Sequence, residues 1–247
     1  MNLDYLLRLG DNALILSHRL SEWCGHGPAL EEDLALTNTA LDLLGQARLW
    51  LTYAGEVEGR GRDEDALAYG RDAHQFRNLL LVEQPNGHYG NTVMRQFLFD
   101  AWHHLLLGAL SRSADARVAE IAQKSAKEVR YHLERSSHLV RALGDGTAES
   151  HTRMQAALDL LWPYAQEWFM DDAVDQACAE QGTAPLASSL QAPWLALVSE
   201  VLSAATLTMP TFEGHQKGGK RGVHTEHLGY MLADMQFLQR TYPGAQW

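Results

Sequence analysis

The chain has 247 residues and a mass of 27.5 kDa, within reach of one large domain with a sizeable core. Twenty Lys and Arg against 31 Asp and Glu leave a net charge of −11, a balance that repels a phosphate backbone and argues against nucleic acid as a partner. With 39 Leu but only 10 Val and 2 Ile, it is rich in a strong helix former and poor in sheet-building residues, so the expected class is all-α.

The first predicted helix runs from about Asp4 to Trp23 and stops at Gly25-His26-Gly27-Pro28. A second begins after Pro28 with Glu31, Glu32 and Asp33, acids suited to the positive end of a helix dipole, and reaches about Tyr53. Leu36, Leu43 and Trp50 lie on one of its faces and Leu34, Leu41, Leu44 and Leu51 on another. A helix apolar nearly all round is expected in the middle of a protein. Its polar stripe, Asn38, Asp42 and Gly45, should face the bundle interior or a partner. A polar region from Gly55 to Arg62 follows, then a less regular stretch to Glu83-Gln84-Pro85-Asn86-Gly87.

The third helix spans about Asn91 to Leu110, and the fourth about Asp115 to Leu143, closed by the turn signal Gly144-Asp145-Gly146. A fifth covers roughly His151 to Met170, a short one Ala173 to Glu180, and a long one Leu186 to Leu207. The last runs from beyond Gly222 to Tyr242. Main helices of about 20 residues are rods about 30 Å long. Four of them around one core, with additional C-terminal helices, make a bundle, read as one helical domain over residues 1–247.

Bundles can hold two metal ions through a Glu from each of two helices and Glu-x-x-His from each of two others. Here the first helix offers Asp11, with Glu22 near its end, and the second offers Asp42-Leu-Leu-Gly45. The third offers Asp100, and the fourth Glu128-Val-Arg-Tyr131. Carboxylates recur at the expected depth, but Gly45 and Tyr131 stand where imidazoles belong, and a phenol with a pKa near 10 ligates poorly. Asp11, Asp42, Gly45, Asp100, Glu128 and Tyr131 therefore read as a degenerate di-iron site, with no metal, cofactor or catalytic residue expected in this chain. A salt-bridge network, with Lys124, Lys127 and Arg130 near Glu128, is expected to fill the space. The competing reading is an independent di-metal oxidase or oxygenase with rearranged ligands, His103, His104 or His132.

Several runs carry a resemblance: Leu9-Gly10-Asp11-Asn12, Glu22-Trp23-Cys24-Gly25-His26, and Leu41-Asp42-Leu43-Leu44-Gly45-Gln46-Ala47-Arg48. So do Leu79 to Gly87, Lys127-Glu128-Val129-Arg130-Tyr131-His132, Gly218-Gly219-Lys220, His224-Thr225-Glu226-His227-Leu228-Gly229 and the final Gln246-Trp247. In this order they resemble the C subunits of the bacterial phenylacetyl-CoA monooxygenases, also called ring-1,2-epoxidases, along essentially the whole chain. The resemblance implies a ferritin-like fold and a multicomponent enzyme that inserts one oxygen atom of O2 into the aromatic ring of phenylacetyl-CoA. It implies a catalytic A subunit that holds the di-iron centre and the substrate. A reductase with FAD and a [2Fe–2S] cluster is implied to bring electrons from NADPH. The C subunit is implied to be a structural relative that has lost its iron ligands and supports A, beside the other small subunits. A homodimer and a stand-alone ferritin-like binding protein remain open alternatives.

Other motifs carry less. Gly214-His-Gln-Lys-Gly-Gly219-Lys220-Arg221 almost spells a phosphate loop, but Arg221 replaces the hydroxyl that should hold magnesium, and no strand precedes it. An exposed loop is the favoured reading, with Lys217, Lys220 and Arg221 as the anion or partner contact it could offer. His224 and His227 are expected to cap the last helix and pack on a neighbour, and Cys24 to be a free buried thiol. Cys24 and Cys178 make no disulfide framework or zinc cage, and no G-x-S-x-G elbow occurs. Apolar runs such as Leu79-Leu80-Leu81-Val82 are too short to span a bilayer, and Met1-Asn2-Leu3-Asp4 lacks the regions of a signal peptide. The expectation is a soluble cytoplasmic protein without membrane contact.

Overall fold

A computed structural model describes residues 1–211 and 216–245. Among them there is no strand, and the helices form a ferritin-like bundle. Helix α1 (Leu3–Ser21) starts where the Asn2 side chain accepts from the amides of Asp4 and Tyr5. Helix α2 (Leu30–Glu58) packs along α1 and ends on Gly59, whose φ of 68° is the left-handed conformation glycine adopts without strain. A crossover containing the short α3 (Glu64–Tyr69) leads to α4 (Tyr89–Leu110). Helix α5 (Ala116–Gly144), capped by Asp115, packs along α4 and runs antiparallel to α2. Helices α6 (Ala148–Ala165), α7 (Ala173–Glu180), α8 (Gln191–Ala204), α9 (Glu226–Met235) and α10 (Phe237–Thr241) complete the described chain.

The core is one apolar cluster drawn from α1, α2, α4 and α5 and extended by Trp162, Trp168 and Trp194. Burying a Leu side chain contributes about 1.5–3 kcal/mol, so a Leu-rich interior supplies most of the stabilisation. Three expectations change. Helix α2 continues four residues past Ala54 because Gly55 lets the backbone of Arg62 lie against the helix; a Cβ there would stand 2.2 Å from the Arg62 carbonyl oxygen. The fifth helix starts at Ala148, capped by Thr147, and gives way to a 3-10 turn at Gln166. The last breaks at Gln236, whose side-chain amide instead donates to the Ala68 and Arg71 carbonyls.

Helix α2 is not central. Leu36, Ala40, Leu43, Ala47, Trp50 and Leu51 are buried, but Leu30, Leu34 and Leu44 are exposed and Leu41 is 60 % exposed. The apolar periodicity is satisfied on one side by the core, while on the other Leu30, Leu34, Leu41 and Leu44 stay uncovered among the described residues.

The crossover carries the other unusual feature, a buried stretch without regular structure from Phe76 to Gln84. Such a segment must find partners for its backbone groups. Asp11 accepts from the Arg77 amide (2.8 Å), Asn12 from Leu79 (2.7 Å) and Glu167 from Leu80 (3.2 Å). Arg19 donates to the Glu83 carbonyl and Arg95 to that of Gln84.

Candidate functional site

The sequence places candidate ligands on α1, α2, α4 and α5, and the structure divides them. Asp11, fully buried on α1, forms a paired-oxygen ion pair with the buried guanidinium of Arg71 and also accepts from the Arg77 amide. A guanidinium matches a carboxylate's two oxygens geometrically, and here it balances the buried charge of Asp11. Arg71 was not anticipated; it lies in the irregular crossover, and nothing in its spacing links it to Asp11.

On the facing sides of α2 and α5, Asp42 Oδ2 lies 2.9 Å from His132 Nε2, and the Gln46 amide donates to Glu128 at 2.9 Å. Asp100 on α4 is fully buried and accepts from Gln96 (2.6 Å) and Ser136 (2.8 Å). Burial pushes the Asp100 carboxyl up to about 6, against the opposing pull of His132 and of these two donors. Burial likewise pushes His103 down to about 3, so its imidazole is neutral. The expected salt bridges to Glu128 are absent among the described contacts: its partner is Gln46, while Arg130 pairs with Glu134 at the surface and Lys124 and Lys127 are exposed.

The reading of Gly45 and Tyr131 as empty interior positions is corrected. Gly45 is exposed with nothing within 4 Å of a Cβ built on it, and Tyr131 is 60 % exposed. One residue turns a helix by about 100°, so the side chains that point inward at this level are their neighbours, Gln46 and His132. Three residues before them stand Leu43 and Val129, both apolar. The inward register therefore pairs an amide with leucine and an imidazole with valine, not carboxylates with imidazoles.

These residues do not fit a pair of iron ions. The carboxylates are separately engaged by Arg71, His132, Gln46, and the Gln96–Ser136 pair. Among the described residues no three His, Cys, Asp or Glu side chains are gathered as a ligand set.

Asp100 gives a test of this reading. Its raised folded-state pKa means that the folded chain holds an extra proton between about pH 4 and 6, so its contribution to stability falls as pH rises through that window. Asp100→Asn removes the cost of a buried charge, and Gln96, whose Oε1 has no partner, can turn to accept from the new amide. The variant is expected to match the wild type near pH 4 and exceed its stability by about 2 kcal/mol at pH 7, measured by urea unfolding at both pH values.

The C-terminal motifs are structural clasps. Glu83 is fully buried and receives Asn78 (2.9 Å), the Thr225 amide (2.7 Å) and hydroxyl (2.8 Å), and His224 Nδ1 (2.8 Å). His224 Nε2 donates to the Phe76 carbonyl, so both ring nitrogens face acceptors; burial opposes the charge, but Glu83 prevails and the His224 pKa is raised. Thr225, not a histidine, is the residue at the start of α9. Cys24 is exposed rather than buried.

The Gly218–Arg221 turn is no loose loop. The Gly218 and Lys220 amides bind the protein's own Glu167 carboxylate, and Gly219 allows this because a Cβ there would lie 2.2 Å from the Asn78 oxygen. Lys220 Nζ is held by Asp175 (2.6 Å), while Lys217 and Arg221 are exposed. Gly214 and His215, the start of the near-phosphate-loop motif, and Gln246-Trp247 lie outside the described residues.

The ferritin-like bundle with carboxylates bonded to protein donors defines the class, and the comparison with known proteins places it: the chain belongs to the family of phenylacetic acid catabolic proteins, matched over residues 1–247. It is similar to the C subunit of the 1,2-phenylacetyl-CoA epoxidase of Escherichia coli (strain K12), with 53 % identity over 243 residues, 98 % of each chain.

Proposed function

We propose that this chain is the structural, non-catalytic C-type subunit of a multicomponent oxygenase that epoxidises the aromatic ring of phenylacetyl-CoA in phenylacetate catabolism. The 53 % identity along 98 % of both chains carries this reading. The interior geometry supports it: Asp11 and Arg71 neutralise each other, and Gln46, Gln96 and Ser136 supply hydrogen bonds where a di-iron centre needs ligands. In this reading the di-iron centre and substrate belong to a catalytic A subunit. FAD, [2Fe–2S] and NADPH belong to a reductase, and the complex works in the cytoplasm. Among the described residues no helix is long and apolar enough to cross a membrane.

This chain's part is to hold its relative. Leu30, Leu34 and Leu41 form an exposed apolar row on α2, and apolar surface of this kind is what a permanent partner covers. The rigid pairing of α1 with α2 and α4 with α5 offers that partner a fixed surface, against which its own ligand-bearing helices can be positioned. Co-expression with a relative that keeps both Glu-x-x-His motifs is expected to yield a stable complex through affinity and size-exclusion steps. A chain that remains alone with that relative at micromolar concentration would instead be a stand-alone bundle, and the proposal would fail.

A further inference from the structure

Helix α2 has two apolar faces, and only one is used within the described chain. Leu36, Leu43, Ala47 and Trp50 pack into the core, while Leu30, Leu34, Leu41 and Leu44 are 43 to 71 % exposed. At about 100° per residue these four leucines, with Thr37 between them, fall within an arc of about 80°. They form a straight row about 21 Å long at a rise of 1.5 Å per residue. The steps from Leu30 to Leu34, Thr37, Leu41 and Leu44 alternate between four residues and three. That alternation is the seam of a helix-on-helix contact, in which side chains of one helix fill the holes between those of another. A strand repeats every two residues, and a small ligand needs a concave site, so neither accounts for this row.

The row runs into a groove. Beyond Leu41, α2 and α3 border about 480 Å³ lined by Leu44, Gly45, Arg48, Glu64, Asp65 and Tyr69. Gly45 has nothing within 4 Å of a Cβ built on it, which leaves the helix backbone open to close approach. Packed helices bring their axes to about 8–10 Å, and small residues at the contact permit the shorter distances.

Acids flank the row. The cations beside it are already engaged, Arg48 by Glu64 at 3.2 Å and Arg135 by Glu32. Glu31 and Asp65 are exposed and have no cation paired with them among the described residues, and Asp33 accepts only from the Gly27 amide. A second copy of this chain would bring the same acids against them, on molecules that each carry a net charge of −11. A partner with Lys or Arg beside its own apolar row complements the face instead.

We propose that the α2 row and its groove seat one α-helix of the catalytic relative, with apolar side chains at the same alternating spacing and Lys or Arg along its flanks. The proposal rests on the supporting role argued above, and it adds which face makes the contact and what kind of element occupies it.

The test is the affinity between the full chain and that relative, purified separately and mixed in a titration calorimeter. Leu34→Ala combined with Leu41→Ala is expected to weaken the complex by at least about a hundredfold. Alanine is the strongest helix former, so the urea midpoint of the chain alone should not fall. Gly45→Phe puts a ring in the path of the incoming helix and is expected to weaken binding by about tenfold or more, again without loss of stability. Glu31→Lys combined with Asp65→Lys is expected to weaken binding by about tenfold at low ionic strength and by much less at high. Tyr230→Ala and Phe237→Ala, at exposed positions on α9 and α10, are expected to change nothing. Wild-type affinity in any of the three α2-face variants, or equal losses from Tyr230→Ala and Phe237→Ala, would overturn the proposal and leave the pairing of the two chains standing. No binding between the wild-type chain and the relative would overturn both. A wild-type dimer of this chain that the leucine variant splits into monomers would give the face to a second copy, and would also overturn the proposal.

Discussion

Replacing Arg71 with methionine is expected to destabilise the protein by about 3–5 kcal/mol, read as a lower denaturant midpoint at unchanged slope. Arg71 binds both oxygens of Asp11, donates to the Leu67 and Gln75 carbonyls, and lies over the Phe76 ring at 4.3 Å. Methionine keeps much of the volume and removes every one of those donors. Asp11, fully buried, then retains the Arg77 amide but no cation. Most of the loss comes from that uncompensated carboxylate, so adding Asp11→Leu to the variant should recover more than half of it. A double variant no more stable than Arg71→Met alone would mean that the crossover packing, not the ion pair, is what Arg71 supplies.

Glu83→Leu should be comparably severe, about 3–5 kcal/mol, but local in its consequences. Glu83 joins Asn78 in the crossover to His224 and Thr225, 141 and 142 residues further along. Leucine leaves the buried His224 Nδ1 without its carboxylate partner and the start of α9 without its anion. Hydrogen exchange is the discriminating measurement. Amides around Val223 to Leu228 and Phe76 to Leu80 should lose protection strongly, while mid-α4 and mid-α5 amides should change only in step with global stability. Uniform loss across the bundle would contradict the clasp.

The fold was largely legible. Asp115 and the Gly144-Asp145-Gly146 turn bracket α5 within a residue or two, and the scarcity of Val and Ile anticipated the absence of strands among the described residues. The position of α2 was not, because Leu34 and Leu41 carry the same periodic signal whether a helix packs inside a protein or waits for another chain. The candidate site was legible in residue type but not in register. Asp42 and Glu128 do face each other's helices, yet their contacts run to His132 and Gln46, and the residues three positions on point to solvent. A spacing rule anchored on a carboxylate presumes that the carboxylate points inward, and Asp42 lies at the edge of the bundle, partly exposed.

The motifs that carried the resemblance illustrate a second limit. Leu79 to Gly87, Gly218-Gly219-Lys220 and His224-Thr225 read as separate marks along the chain, and in the fold they are one assembly held by Glu83 and Glu167. Long-range pairing of this kind leaves no periodic trace in one sequence. Arg71, Glu83 and Glu167 were consequently missed as the groups that organise it.

The iron content of this chain, purified alone from iron-replete cells and measured together with its Mössbauer spectrum, tests the central claim most directly. Far less than one iron per chain and no spectrum of a coupled pair are predicted, with iron appearing only when the catalytic relative is present and staying with that relative on separation. About two irons per chain with a bridged dinuclear signature, the loading of a working bundle of this class, would contradict the account.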